Sequence, residues 1–183
     1  MLTLHIPDNE FFDEITNEFI TVKETKIVIE HSLVSISKWE SKWKKPLIES
    51  LKSLTIEELN DYIRCMTLTQ NVDPDLYKAL PTDIVNQTVE YMADPMTATT
   101  FNNSTNSGRG SNEIMTSELV YYWMSTLQIP FDPCQKWHFN RLLTLIRIAS
   151  EKNQPPKKMS KSDILKQNKA LNAQRRAKYK TRG

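Results

Sequence analysis

Residues 158–162 spell Lys-Met-Ser-Lys-Ser, a pattern that in one enzyme class performs chemistry. In class I aminoacyl-tRNA synthetases the lysine of this loop stabilises the adenylation transition state. The companion His-x-Gly-His motif is missing from this sequence, since His5 is followed by Ile-Pro-Asp. The pattern also lies beyond the last large predicted core helix, whereas the enzyme folds the loop over ATP. A chance match in a segment rich in lysine and serine explains this pattern better than a synthetase loop does.

Cys134 and His138 are four residues apart, the spacing of two metal ligands on one helix face. Zinc takes three or four protein ligands, and no second pair is visible in the sequence. Cys65, His5 and His31 join the pair only if folding brings them together. A buried thiol beside a core histidine is the simpler interpretation. We therefore expect no metal and no other cofactor.

Acidic residues are frequent, but their positions in the sequence match no recognisable catalytic motif. Glu57-Glu58 and Asp73 with Asp75 fit a solvated surface and the negative charge favoured at helix amino termini. There is no nucleophile elbow and no Ser-His-Asp order, although triads can converge in space alone. The chain has three glycines, too few for a P-loop or a dinucleotide-binding fingerprint. We expect a protein that is not an enzyme.

Aromatic residues are the first candidates for a partner surface. Trp39 and Trp43 lie one helical turn apart, with lysines at 38, 42, 44 and 45, and residues 121–123 read Tyr-Tyr-Trp. Helical spacing of this kind is typical of a core-facing stripe. The functional alternative is an exposed aromatic anchor for a partner, for which we name Trp39 and Trp43. Both interpretations stay open at this point.

The carboxy-terminal end of the chain is strongly basic. Residues 157–183 hold ten Lys or Arg and one acid, a net charge of +9, while the rest of the chain has a net charge of −7. This segment is a nucleic-acid arm, a partner-docking helix or a solvated end. For docking we name Ile164, Leu165, Leu171, Arg175 and Arg176. Alanines at 170, 173 and 177 would complete a shallow apolar strip.

The residue pattern predicts strands at the amino-terminal end and helices in the remainder of the chain. The strands are expected at residues 2–6, 11–12, 19–22 and 27–29. A helix over 11–20 is the competing interpretation. From Ser32 onward apolar residues recur every three or four positions, as on a helix face. The expected fold class is α+β and mostly α-helical: a small amino-terminal β-sheet packed on a helical bundle, with a basic carboxy-terminal helix.

Capping signals mark where the helices begin and end. Thr55 and Glu58 form a capping-box pattern, and Pro81 fits a first helical position. Helices are predicted near residues 32–43, 55–67, 81–93, 117–128, 133–152 and 160–178. The side chains expected to face the core include Leu33, Ile36, Leu59, Ile63, Met66, Ile84, Val85, Val89, Met92, Leu119, Tyr122, Trp123, Leu127, Trp137, Leu142, Leu145 and Ile146.

The organisation of the chain follows from these elements. We expect an amino-terminal β segment at 1–31, a helical core at 32–153 and a basic tail or helix at 154–183. Thirteen of the sixteen residues at 97–112 are Thr, Asn, Ser or Gly, which predicts an exposed loop. Its flanks, 97–101 and 113–115, are candidates for a hairpin.

The composition of the chain indicates the cellular compartment in which we expect the protein. No stretch approaches the ~18 uninterrupted apolar residues of a membrane helix, so we expect no membrane contact. The amino terminus has no basic region and no apolar run, so no signal peptide is predicted. Two cysteines, Cys65 and Cys134, exclude a disulfide scaffold and fit a reducing cytoplasm.

Two tryptophan-containing segments carry a family resemblance. Residues 30–43 read EHSLVSISKWESKW, and residues 129–146 contain IPF, then Cys134, then KWHFNRLLTLI. The end adds KKMS at 157–160, LNAQRR at 171–176 and a final TRG. Together these segments resemble the tail assembly chaperone family of tailed bacteriophages, over nearly the whole chain.

The resemblance implies a protein without enzyme activity. Such chaperones keep the tape-measure protein soluble while tail tube proteins polymerise around it, so both are implied partners and the host cytoplasm is the implied location. The alternative is a virion structural protein of the head or tail, whose basic tail contacts a neighbouring subunit or nucleic acid. Self-association and nucleic-acid binding through 157–183 are further candidate interactions.

Overall fold

The computed structural model describes residues 1–13, 17–101, 113–153 and 161–179. Residues 1–152 form one compact unit and residues 153–183 form another. The α+β class predicted from the sequence is confirmed, with antiparallel strands at the amino-terminal end and helices after them.

Four strands form two antiparallel pairs. They are β1 (Leu2–Ile6), β2 (Asn9–Asp13), β3 (Glu18–Val22) and β4 (Thr25–Ile29). β2 pairs with β3 as a local hairpin, and the flanking strands β1 and β4 pair with each other, so the described strands make two sheets. Side chains alternate between the faces of a strand. This alternation buries Leu4, Ile6, Ile27 and Ile29 completely.

The helices follow in a nearly continuous series. They are α1 (Leu33–Trp43), α2 (Leu47–Ser50), α3 (Ile56–Met66), α4 (Thr82–Ala93), α5 (Ser117–Thr126), α6 (Phe131–Cys134), α7 (Phe139–Asn153) and α8 (Lys161–Tyr179), with a 3-10 helix at Pro74–Tyr77. Capping boxes begin α1 at Ser32 and α3 at Thr55. α1 ends where Lys44 adopts a left-handed conformation and its N–H donates to the Glu40 carbonyl at 2.9 Å.

The core of the first unit joins the β1–β4 sheet to the helices. α1 packs on α3 and α5, and α4 packs on β1. The largest completely buried side chains come from several of these elements and include Trp39, Tyr62, Leu33, Ile63 and Met66. Burial of such side chains supplies the main stabilising free energy of the fold.

The long helix predicted over 133–152 is wrong. The chain leaves α6 after Cys134 and begins α7 at Phe139. Between them the backbone turns back to the end of the β segment. The Phe139 N–H donates to the His31 carbonyl at 2.7 Å, and Ser32 forms an isolated β-bridge with His138. These hydrogen bonds replace the ones that a continuous helix would make.

The hairpin predicted for the flanks of the polar loop is also wrong. Residues 97–101 and 113–115 form no strand. Instead, the Thr97 hydroxyl accepts from the Thr99 N–H at 3.1 Å, and the Arg147 guanidinium lies 3.8 Å from the centre of the Phe101 ring. Most of the predicted loop, 102–112, lies outside the described residues.

Three details of the predicted helix faces need correction. Pro81 is the residue that precedes α4 and not its first helical residue. Val89 and Tyr122 were expected in the core but are exposed by 46% and 64%. α5 buries Val120 and Met124 instead, and α1 packs on this helix.

Candidate partner-binding surface

Trp39 belongs to the core. α1 presents it to α3, where it is 0% exposed and its indole Nε1 donates to the Glu58 carbonyl at 2.9 Å. Its ring also stacks on Trp43, with centroids 6.0 Å apart. The expectation that Trp39 lies on an exposed aromatic face is therefore wrong. The core interpretation of the helical spacing is the one that the structure supports.

Trp43 lies at the edge of the same stack and is half-buried. Its Nε1 donates to Asp61 Oδ2 at 2.8 Å, and Lys42 and Arg64 each donate to Asp61 Oδ1 at 2.8 Å. Burial acts to raise the pKa of Asp61, but these three hydrogen bonds outweigh it and hold the pKa below its usual value. Only part of the Trp43 ring is therefore left for a partner.

α8 is exposed along its described length. The side chains described there, at Ser162 and at residues 164–179, are all exposed. Among them are four large apolar side chains, which water disfavours: Ile164 at 44%, Leu165 at 65%, Leu171 at 43% and Tyr179 at 66% exposure. Residues 158–160 of the Lys-Met-Ser-Lys-Ser pattern lie outside the described residues, and its last two residues begin α8.

The apolar strip expected on α8 needs one correction. An α-helix turns about 100° per residue. On that geometry Ile164, Leu165, Leu171 and Tyr179 lie within one half of the circumference, which we call the basic–apolar face. The alanines at 170, 173 and 177 lie on the opposite half, so they do not extend the strip. The candidate partner residues Arg175 and Arg176 lie on the basic–apolar face.

A second group of polar residues is buried inside the first unit, and we call it the histidine cluster. Its members are Glu30, His31, Tyr62, Tyr91 and His138, each exposed by 8% or less. A 2.5 Å hydrogen bond joins His31 Nδ1 to the Tyr62 hydroxyl, and the Tyr91 hydroxyl donates to Glu30 Oε1 at 2.8 Å. The two imidazole rings meet edge to face, with centroids 5.3 Å apart.

Burial keeps the titratable rings of the histidine cluster neutral. It lowers the pKa of His31 to about 3, with a smaller contribution from His138, and it lowers the pKa of His138 as well. It raises the pKa of both Tyr62 and Tyr91. The two histidines and two tyrosines of the cluster therefore supply neutral hydrogen-bonding groups that connect the end of β4 to α3, α4 and the start of α7.

The Cys134–His138 pair does not share a helix. Cys134 ends α6, whereas His138 precedes α7 and donates from Nε2 to the Tyr91 carbonyl at 3.1 Å. His138 Nδ1 has no hydrogen-bond partner within the described part of the chain. No group of three or more His, Cys, Asp or Glu side chains that could hold a metal ion occurs among the described residues.

Sequence reasoning overlooked Glu30, Tyr62 and Tyr91. Tyr62 had a usable signal, because it lies four residues before Met66 on the apolar stripe of α3. Glu30 and Tyr91 had none, since their partnership joins residues 61 positions apart. Only folding brings them together.

Comparison of the sequence with protein-family models, with curated proteins and with solved structures gives no match. Among the helices in the described ranges, none combines the length and the apolar character needed to cross a bilayer.

Proposed function

We propose that this protein is a tail assembly chaperone of a tailed bacteriophage, which holds the tape-measure protein soluble in the host cytoplasm while tail tube proteins polymerise. It acts by binding and carries out no catalysis. The observation that carries the proposal is α8, where Ile164, Leu165, Leu171 and Tyr179 are 43–66% exposed beside cationic side chains. The resemblance of the two tryptophan segments supports the same function.

A holding chaperone needs an apolar surface with a polar surround, and each contact must be weak enough to release its client. Four apolar side chains on one helix face fit that need, because a small contact gives modest affinity. Several copies bound along one long client gain avidity without any new contact. The exposed part of Trp43 is a second candidate contact.

The test is co-expression of the tape-measure protein with and without this chain. We expect the tape-measure protein in the soluble fraction only when this chain is present, and bound to it after affinity purification. The double variant L165S/L171S should lose that effect, whereas A170S/A173S, on the opposite half of α8, should keep it. Equal solubility of the tape-measure protein with and without this chain contradicts the proposal.

The cationic surplus of α8 favours one alternative, a structural protein of the virion whose tail contacts a neighbouring subunit or nucleic acid. Purified particles separate the two functions. A chaperone is absent from them, whereas a structural protein is present at a fixed copy number.

A further inference from the structure

The basic–apolar face of α8 gathers charge and apolar surface on the same half of the helix. At about 100° per residue, Arg175 and Arg176 fall on the same half as the four large apolar side chains, and Lys169 and Lys178 lie at its two edges. Over residues 164–179, the opposite half carries Lys166 together with alanines and glutamines. The cations and the apolar side chains on this half are therefore close enough for one partner to contact both.

The spacing on this face is that of a helix–helix seam. Ile164, Asn168, Leu171, Arg175 and Tyr179 follow one another in steps of three or four residues. Such steps keep side chains on one stripe of a helix, which then packs along the stripe of a second helix. The face therefore fits an elongated helical partner of about the same length.

The positive charge of the basic–apolar face indicates which kind of helix it can bind. Lys169, Arg175 and Arg176 form no ion pair with a described acidic side chain, and all three are exposed. A second copy of α8 would bring cations against cations, which disfavours self-pairing. A helix with Asp or Glu beside and between its apolar side chains would neutralise them.

Two other occupants fit less well. A helix that lies on a lipid surface separates a charged face from an apolar face, whereas in α8 Asn168 and Arg175 lie among the apolar side chains. Nucleic acid would neutralise the cations but would offer no apolar partner for Ile164, Leu165 and Leu171. We infer that the basic–apolar face of α8 binds an acidic amphipathic helix of a partner protein. This inference rests on the proposed function and gives the chemistry of the client segment.

The test measures binding of the full-length protein to synthetic helices. One labelled peptide carries leucines at steps of three or four with glutamates on both flanks, and a second has glutamine in place of each glutamate. We expect the acidic peptide to bind at least tenfold more tightly, with affinity falling as salt rises. Equal affinity for the two peptides overturns the inference, and so does tighter binding of a 20-base-pair DNA duplex.

Matched variants of α8 locate the contact. R175E should weaken the acidic peptide at least tenfold, whereas K166E, with the same change of charge on the opposite half, should weaken it less than threefold. L171A should weaken it about tenfold and Q174A less than twofold. Circular dichroism of each variant checks that the helix is retained. Equal losses for R175E and K166E would mean unspecific attraction and would overturn the inference.

This inference and the proposed function can fail separately. If the protein keeps the tape-measure protein soluble but does not bind the acidic peptide, the function stands and the inference falls. If it binds the acidic peptide through Arg175 and Leu171 but leaves the tape-measure protein insoluble, the inference stands and the proposed client is wrong.

Discussion

Glu40 shows how one buried carboxylate can fix the starts of two helices. Its Oε1 accepts from the Leu47 N–H at 3.0 Å and its Oε2 accepts from the Ser117 N–H at 2.8 Å. Leu47 and Ser117 are the first residues of α2 and α5, whose first amides have no partner within the helix.

Removing this carboxylate should destabilise the first unit. Glu40→Ala leaves two buried N–H groups without partners, which we expect to lower the free energy of unfolding by about 3 kcal/mol. Urea unfolding followed by tryptophan fluorescence measures the change. Glu90→Ala, at an exposed site in α4, is the control and should stay within about 0.5 kcal/mol of the wild type. Equal midpoints for the two variants would contradict this role of Glu40.

The buried histidines should make the fold sensitive to mild acid. The pKa of His31 is lowered to about 3 in the folded protein from 6.5, so as pH falls below about 6.5 the unfolded chain takes up a proton that the folded chain refuses. Stability is therefore complete above this range and is lost as pH falls. His31 alone should account for about 2 kcal/mol between pH 7 and pH 5.

Unfolding measured at pH 7 and pH 5 tests this linkage. His31→Gln should show a smaller loss of stability between the two pH values than the wild type, whatever its stability at pH 7. His5→Gln, at an exposed histidine of β1, should lose as much as the wild type. Parallel losses in all three proteins would show that His31 does not titrate in this way.

The two tryptophans of α1 should differ in their effect on stability. Trp39→Ala removes a completely buried ring and the hydrogen bond to the Glu58 carbonyl, so we expect a loss of about 4 kcal/mol. Trp43→Ala removes a half-buried ring and should cost about 1–2 kcal/mol. Thermal unfolding followed by circular dichroism gives the order. A larger loss for Trp43→Ala would mean that Trp39 is not the core residue.

At the scale of single elements, local sequence signals decided where α3 begins. The Thr55 hydroxyl accepts from the Glu58 N–H at 3.2 Å, and Glu58 Oε2 accepts from the Thr55 N–H at 3.0 Å. Glu58 Oε1 also pairs with Lys45, which helps hold the pKa of Glu58 below its usual value. This motif was predictable because all of its backbone partners lie within three residues.

Loss of the cap should weaken the fold by a modest amount. Thr55→Ala removes one half of the capping box and should lower the free energy of unfolding by about 1 kcal/mol. Ser125→Ala, at an exposed position near the end of α5, is the matched control and should change it by less than about 0.5 kcal/mol. Chemical denaturation compares the two, and an unchanged midpoint for Thr55→Ala would contradict the role of the cap.

The break between α6 and α7 was not predictable in the same way. Apolar residues keep a helical spacing from Cys134 to Ile146, and Asp132-Pro133 is a typical start of a helix. The break depends on the Phe139 N–H reaching the His31 carbonyl, more than a hundred residues earlier in the chain. The spacing of apolar residues along the sequence carries no information about such a distant contact, which is why the prediction of one long helix failed.

At the scale of the whole molecule, the described helices should differ in local stability. α1 and α3 each have a face of buried side chains, whereas the side chains described in α8 are all exposed. Because most of the stability of a helix in a protein comes from the packing of its buried face, we expect amide hydrogens of α8 to exchange much faster than those of α3. Hydrogen exchange read by mass spectrometry on the full-length protein measures this. Equal protection of α8 and α3 would contradict it.

The fold class, most strands and helices, and the concentration of positive charge at one end could be predicted from the amino-acid sequence, since periodicity, caps and net charge are properties of neighbouring residues. The tertiary structure alone decided that Trp39 is a core residue, that Glu40 joins α2 to α5, and that Glu30, Tyr91 and the two histidines meet in one buried cluster. These outcomes depend on contacts between distant parts of the chain, where burial of one partner is settled only by the position of the other.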